Sequence, residues 1–124
     1  MSDRDLKPVY WVASSKEDLR SFPEPVARSV GFALYRAQEG KKVPAAKPLK
    51  GIVKGAGVLE ILEDHDGDTY RVVYTVRFSE AVYVLHAFHK KAKRGIQTPK
   101  HEVDLIRRRY EAARAHHEEG GVGP

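Results

Sequence analysis

The residues with the greatest chemical potential are cations set on or beside extended segments. Arg71 and Arg77 lie in TYRVVYTVRF at 69–78, and Lys90, Lys91, Lys93 and Arg94 follow where AVYVLHAF at 81–88 ends. Both runs are rich in β-branched and aromatic residues and are parted by Ser79-Glu80, the pattern of two antiparallel strands. Alternation puts Tyr70, Val72, Tyr74 and Val76 on one face and Arg71, Val73, Thr75 and Arg77 on the other. One face is core-like; the other carries cations on a rigid platform. Lys47 and Lys50, from a proline- and glycine-rich stretch, and His89 can extend that surface. Such a surface suits a phosphodiester backbone, although a plain solvated hairpin face would have the same pattern.

Chemistry on RNA requires no metal. A positioned base can take the proton of a 2′-hydroxyl, which attacks the adjacent phosphate while cations stabilise the charge developing on the phosphoryl oxygens. Clustered lysines such as Lys90 and Lys91 lower each other's pKa by repulsion, so one of them can act as acid or base near neutral pH. Glu60 is the acid the strand pattern places near this surface, either as a second proton-transfer group or as the salt-bridge partner of Arg71.

Other chemistries find less support. His86 and His89 are three apart at a strand end with no acid nearby to complete a ligand set, and His116-His117 sit near the C-terminus, so no metal site is expected. Gly51, Gly55 and Gly57 form no Walker or dinucleotide fingerprint, and there is no GxSxG elbow. Glu63, Asp64, Asp66 and Asp68 lack the twelve-residue calcium pattern and read as turn formers. Without cysteine there is no disulfide, thiolate site or cysteine nucleophile. No cofactor is expected.

The elements that must position these groups follow from patterning. The 124 residues suit one domain, expected over 1–118, with a disordered tail at 119–124. The net charge is +5, unevenly spread: residues 41–57 hold five lysines and no acid, 58–68 hold five acids, and 86–114 hold nine Lys or Arg against three acids. No segment has the length and apolarity of a membrane span or a leader, so a cytoplasmic location is expected. Residues 8–13 form a short β-rich run. Ser14 and Glu17 have capping-box spacing and predict a brief helix, interrupted by Pro23 and Pro25. A second helix from about Pro25 carries Val26, Val30, Ala33, Leu34 and Ala37 on one stripe and stops at Gly40. Residues 41–57 read as a long loop, 58–62 as a strand, and 64–68 as a turn into the central hairpin. Thr98 as N-cap and Pro99 at the first position open a last helix whose stripe is Val103, Ile106, Tyr110 and Ala113, with Arg107, Arg108, Arg109 and Arg114 mostly off it. The expected class is α+β: a small mixed four-stranded sheet in the order β-α-α-β-β-β-α, with the helices covering one face.

KPLKG at 47–51, the strand bearing Glu60, TYRVVYTVRF, and VYVLHAFHKK leading to TPKHEVDLIRRRYEAA together resemble the phage-derived, HigB-type branch of the RelE/ParE toxin superfamily over roughly residues 8–115. The resemblance implies a RelE-like fold and a type II toxin–antitoxin toxin that cleaves messenger RNA on the ribosome and is neutralised by a small helix-turn-helix antitoxin. It places the family's strand arginine at Arg71 and its basic residues at Lys90 and Lys91. The chain departs from the pattern at Leu62, where relatives often carry a basic residue, and at the tyrosine that some members place after the last strand, which has no clear equivalent. Two other classes compatible with the residues are a non-enzymatic ParE-like gyrase inhibitor and a basic RNA-binding phage accessory domain. The oligomeric state and the preferred cleavage site are open at this level.

Overall fold

The computed structural model describes residues 6–53, 55, 57–78, 80–90 and 98–120, with the backbone alone for Lys90. The elements are β1 (Val9–Trp11), α1 (Ser15–Arg20), α2 (Glu24–Gln38), β2 (Ala46–Pro48), β3 (Val58–His65), β4 (Asp68–Thr75), β5 (Val82–Lys90) and α3 (Lys100–Glu118). They form one sheet in the order β1-β5-β4-β3-β2. The meander β3-β4-β5 is antiparallel throughout, and β1 joins its β5 edge in parallel, with Tyr10 beside Tyr83. Asp66 and Gly67 have φ of 50° and 85° and close the β3-β4 hairpin in two residues, the left-handed pair whose twist matches paired strands.

The sheet has one strand more than expected. β2 forms within the stretch read as loop, where Ala46, Lys47 and Pro48 pair with Ile61, Glu60 and Leu59. Its three residues are too few to show a periodicity, and its proline is tolerated because the strand lies at the sheet edge.

Helices cover both faces of the sheet rather than one. On the first face Leu19 of α1, Phe22, and Val26, Val30 and Leu34 of α2 pack with Ile61, Tyr70, Val72 and Tyr74. On the second, Ile106, Tyr110 and Ala113 of α3 pack with Val58, Val73, Tyr83 and Leu85. The apolar stripe of α3 needs a sheet face of its own, and burying one such side chain is worth about 1.5–3 kcal/mol. Every residue of β4 after Asp68 is consequently buried. The Asp68 to Thr75 strand is thus central on both faces, and its second face is not the open cationic platform that alternation suggested.

β5 carries a bulge. Val73 pairs with His86 but Tyr74 pairs with Val84, so Leu85 is the extra residue, and Leu85 and His86 both face α3. The helix starts also differ from expectation. Ser14 is the N-cap of α1 but makes no capping bond; its hydroxyl donates to Asp18 Oδ2 at 2.8 Å. α3 begins at Lys100 with Pro99 as N-cap, and the Thr98 hydroxyl is engaged by Arg71 instead of the helix backbone. α3 ends in a turn through Glu119 and Gly120, and residues 121–124 of the expected disordered tail lie outside the described residues. No helix among the described residues is long and apolar enough to cross a membrane.

Two glycines should respond to alanine with opposite signs. At Gly31, inside α2, an added Cβ meets nothing within 4 Å, so Gly31→Ala is expected to raise stability by about 0.5–1 kcal/mol. Gly57 has φ of +110° and a Cβ there would lie 2.9 Å from Arg77 Cβ and 3.4 Å from its Cα, so Gly57→Ala is expected to cost about 1–3 kcal/mol. Urea unfolding midpoints of the two variants measure both effects.

Candidate nucleic-acid interface

Arg71 lies in the interior of β4, opposite Leu62 of β3 and Phe88 of β5, and its side chain enters the layer between the sheet and the N-terminal end of α3. Its Nη1 donates to Glu60 Oε2 at 3.5 Å and to Thr98 Oγ1 at 3.2 Å. The two charged side chains are only 6% and 8% exposed. A charge this deep persists only when paired, and removing one partner of a buried pair typically costs about 3–5 kcal/mol. Leu62, the departure from the family pattern, sits directly across from Arg71, where a basic residue would set two like charges side by side. Arg71 is therefore held against its carboxylate by an apolar neighbour on one strand and an aromatic one on the other.

Lys47 pairs with Glu60 in the β2-β3 ladder, so its side chain shares the α3 face while remaining exposed at the sheet edge. Lys47, Glu60 and Arg71 thus run diagonally across three neighbouring strands as cation, anion, cation. Lys50 follows in the exposed turn beyond β2. The backbone of Lys90 pairs with Thr69 at the end of β5. The Lys90 side chain, with Lys91, Lys93 and Arg94, lies outside the described residues.

Arg77 and His89 are not brought to this place. Arg77 stands beyond β4, roughly 20 Å along the strand direction from Arg71, with its stem against Gly57 and its guanidinium beside Gly55. His89 is opposite Tyr70 and stacks on it at 5.0 Å, on the face covered by α1 and α2. An RNA surface that included all the cations of the hairpin would have to wrap around the sheet.

A second polar group on the α3 face was not foreseen. His86 Nε2 lies 2.7 Å from Glu102 Oε1, and Arg109 Nη1 reaches His86 Nδ1 at 3.3 Å and the Leu85 carbonyl at 3.0 Å. Arginine can only donate, so Nδ1 accepts and Nε2 carries the proton given to Glu102. Arg109 Nη2 also donates to Ser14 Oγ at 3.2 Å. Burial pulls the Arg109 guanidinium below its ordinary value, against the attraction of Asp18 and Glu102 and with the repulsion of Arg108. His86 stacks on Phe88, the cross-strand neighbour of Arg71, at 4.6 Å. The sequence signals available were a histidine inside an apolar run and an arginine on a helix, and neither shows a contact that forms only when the bulge turns His86 toward α3. Among the described residues no three His, Asp or Glu side chains gather to hold a metal ion.

The arrangement supplies a fixed cation and carboxylate under one end of α3, flanked by exposed lysines at a sheet edge. No curated protein matches the chain. Its structure is similar to a chain in the crystal structure of the toxin–antitoxin complex RelBE2 from Mycobacterium tuberculosis, with a TM-score of 0.47 and 18% identity over 74% of this chain and 100% of that one. Residues 17–111 match the model of the family described as phage derived protein Gp49-like (DUF891), in agreement with the phage-derived branch that the motifs resemble. Because that match spans most of the sequence, the chain belongs to the phage-derived Gp49-like family.

Proposed function

We propose that this chain is the toxin of a type II toxin–antitoxin pair and cleaves messenger RNA on the ribosome, with a helix-turn-helix protein as its antitoxin. The observation that carries the reading is the diagonal of Lys47, Glu60 and Arg71 on one sheet face, beside the strand end from which the basic stretch 90–94 departs. In this reading a phosphate of the RNA takes the place of the Thr98 hydroxyl on Arg71. Glu60 accepts the 2′-hydroxyl proton, the 2′-oxygen bonds to phosphorus, and the bond from phosphorus to the 5′-oxygen breaks. Arg71 stabilises the charge on the non-bridging oxygens, and Lys90 or Lys91 returns a proton to the leaving 5′-oxygen. The products are a 2′,3′-cyclic phosphate and a 5′-hydroxyl. Lys47 and Lys50 hold the backbone on either side, with Lys93 and Arg94 as further binding cations.

The burial of Arg71 favours a second reading. A guanidinium 6% exposed whose donors already meet Glu60 and Thr98 is also what a purely structural pair would look like, and a ParE-like toxin that inhibits gyrase by binding needs no phosphate site.

Induction of the chain alone separates the two. The nuclease reading expects translation to stop and mapped transcript ends to show cuts within translated frames; intact transcripts with supercoiling defects would support the gyrase reading.

The site itself calls for a paired substitution. Arg71→Ala leaves Glu60 buried without its partner and is expected to cost about 3–5 kcal/mol of stability, so loss of activity in that variant would be ambiguous. Replacing both members, Glu60→Leu with Arg71→Met, removes the charges at similar volume and is expected to keep the fold. Cleavage by the double variant should fall by a factor of about 10² to 10³ or more, the loss seen on removing one preorganised donor. A folded double variant that still cuts at the wild-type rate would remove this site. Lys47→Ala should lose less, chiefly in RNA affinity, and added salt should mimic it.

A further inference from the structure

Arg107 stands on the exposed side of α3, where its neighbour Arg108 is a solvated cation. Its Nε donates to the Ile52 carbonyl at 2.9 Å, and its Nη2 donates to the Gly51 carbonyl. Asp104, one turn earlier, lies 3.6 Å from Arg107 Nη1 and is itself 3.1 Å from Lys100 Nζ, so the guanidinium is steadied from both sides. The two carbonyls belong to the turn that presents Lys50. Lys50 and Gly51 form the turn, and Gly51 has φ of +84°, a left-handed conformation that favours glycine. Before the turn Leu49 N–H is tied to the Val58 carbonyl at 2.9 Å, and after it Ile52 is buried in the α3-side cluster. Between those anchors the turn's outward carbonyls meet the fork of Arg107.

We infer that Arg107 is a positioning residue whose bidentate hold on the Gly51 and Ile52 carbonyls fixes Lys50 for contact with an RNA phosphate. The inference rests on the proposed function, since it concerns how that site takes its substrate. A planar fork with donors in fixed directions can hold two successive carbonyls at once, whereas a lysine ammonium at the same position keeps the charge without that geometry. Lys47 needs no such clamp because the β2-β3 ladder already orients it. Lys50 lies past the last ladder pair, and without the clamp the backbone of its turn would lose conformational freedom only on binding, which weakens the contact.

The test is a salt titration of binding to a short single-stranded RNA, by fluorescence anisotropy, for the wild type, Lys50→Ala, Arg107→Lys and the double variant. Lys50→Ala should make the log–log salt slope shallower by about 0.7, the value of one phosphate contact on a single strand. Arg107→Lys, which retains the net charge, should show the same loss, and the double variant should lose no more than Lys50→Ala alone. A wild-type slope in Arg107→Lys, or additive losses in the double variant, would overturn the clamp while leaving RNA binding intact. A wild type with no salt-dependent RNA binding would instead overturn the proposed function and this inference with it. Hydrogen exchange at the amides of 50–53 checks the structural half separately: faster exchange in Arg107→Lys with α3 otherwise unchanged is expected, and unchanged exchange would rule the clamp out.

Discussion

A full positive charge in the interior of a strand that is buried on both faces sets the terms for the rest of this structure. Arg71 cannot be solvated where it lies, so a carboxylate must come to it from β3 and a hydroxyl from the residue ahead of α3. Glu60 meets the first demand because it faces the same side of the sheet, one diagonal step away in the β3-β4 register. Thr98 meets the second with its hydroxyl, and α3 begins at Lys100 because Pro99, with ψ of 152°, is still extended. Arg71 therefore ties the middle strand to its neighbour through Glu60 and to the segment leading into α3 through Thr98.

α3 makes several further polar contacts to distant segments. Its apolar stripe rests on Val73, Tyr83 and Leu85, and its polar residues leave that stripe in different directions. Arg109 reaches inward to the β5 bulge and on to Ser14 ahead of α1, while Arg107 reaches sideways to the turn after β2. Nearer the start of the helix, Glu102 accepts a hydrogen bond from His86 Nε2. The helix thereby joins segments that are remote in sequence, and a shift of its N-terminal end would be felt at Arg71, at the bulge and at the Lys50 turn.

What was legible in the sequence was local. The alternation in 69–76, the stripe of α3 and the salt bridge that was one of the two roles open to Glu60 each depend on residues within one element or across one hairpin, and each is realised; the turn read at 64–68 is tighter, Asp66-Gly67 alone, because β3 runs on to His65. What was not legible depends on contacts between distant segments. Val73 looks at home on a solvated face until α3 is laid over it. β2 consists of three residues, one of them proline, and becomes a strand only because β3 offers an edge. Ser14 has the spacing of a capping residue, yet its hydroxyl joins Asp18 and Arg109, which stands on a helix at the other end of the chain. Arg77 and His89 matched the cationic pattern of the hairpin, but the end of β4 and the opposite face of β5 carry them away from Arg71.

The central claim is that Arg71, paired and enclosed in the free protein, exchanges the Thr98 hydroxyl for an RNA phosphate. The most direct measurement follows the guanidinium ¹⁵N and ¹H resonances of Arg71 during titration with a 2′-O-methyl oligonucleotide, which can bind but cannot be cleaved. The account predicts that these resonances shift along the same isotherm as the backbone amides of Lys47 and Lys50, and that the Thr98 amide shifts with them. Arg71 and Thr98 resonances that stay fixed while the lysine amides saturate would mean that RNA binds only the sheet edge, and that the buried pair serves the fold alone.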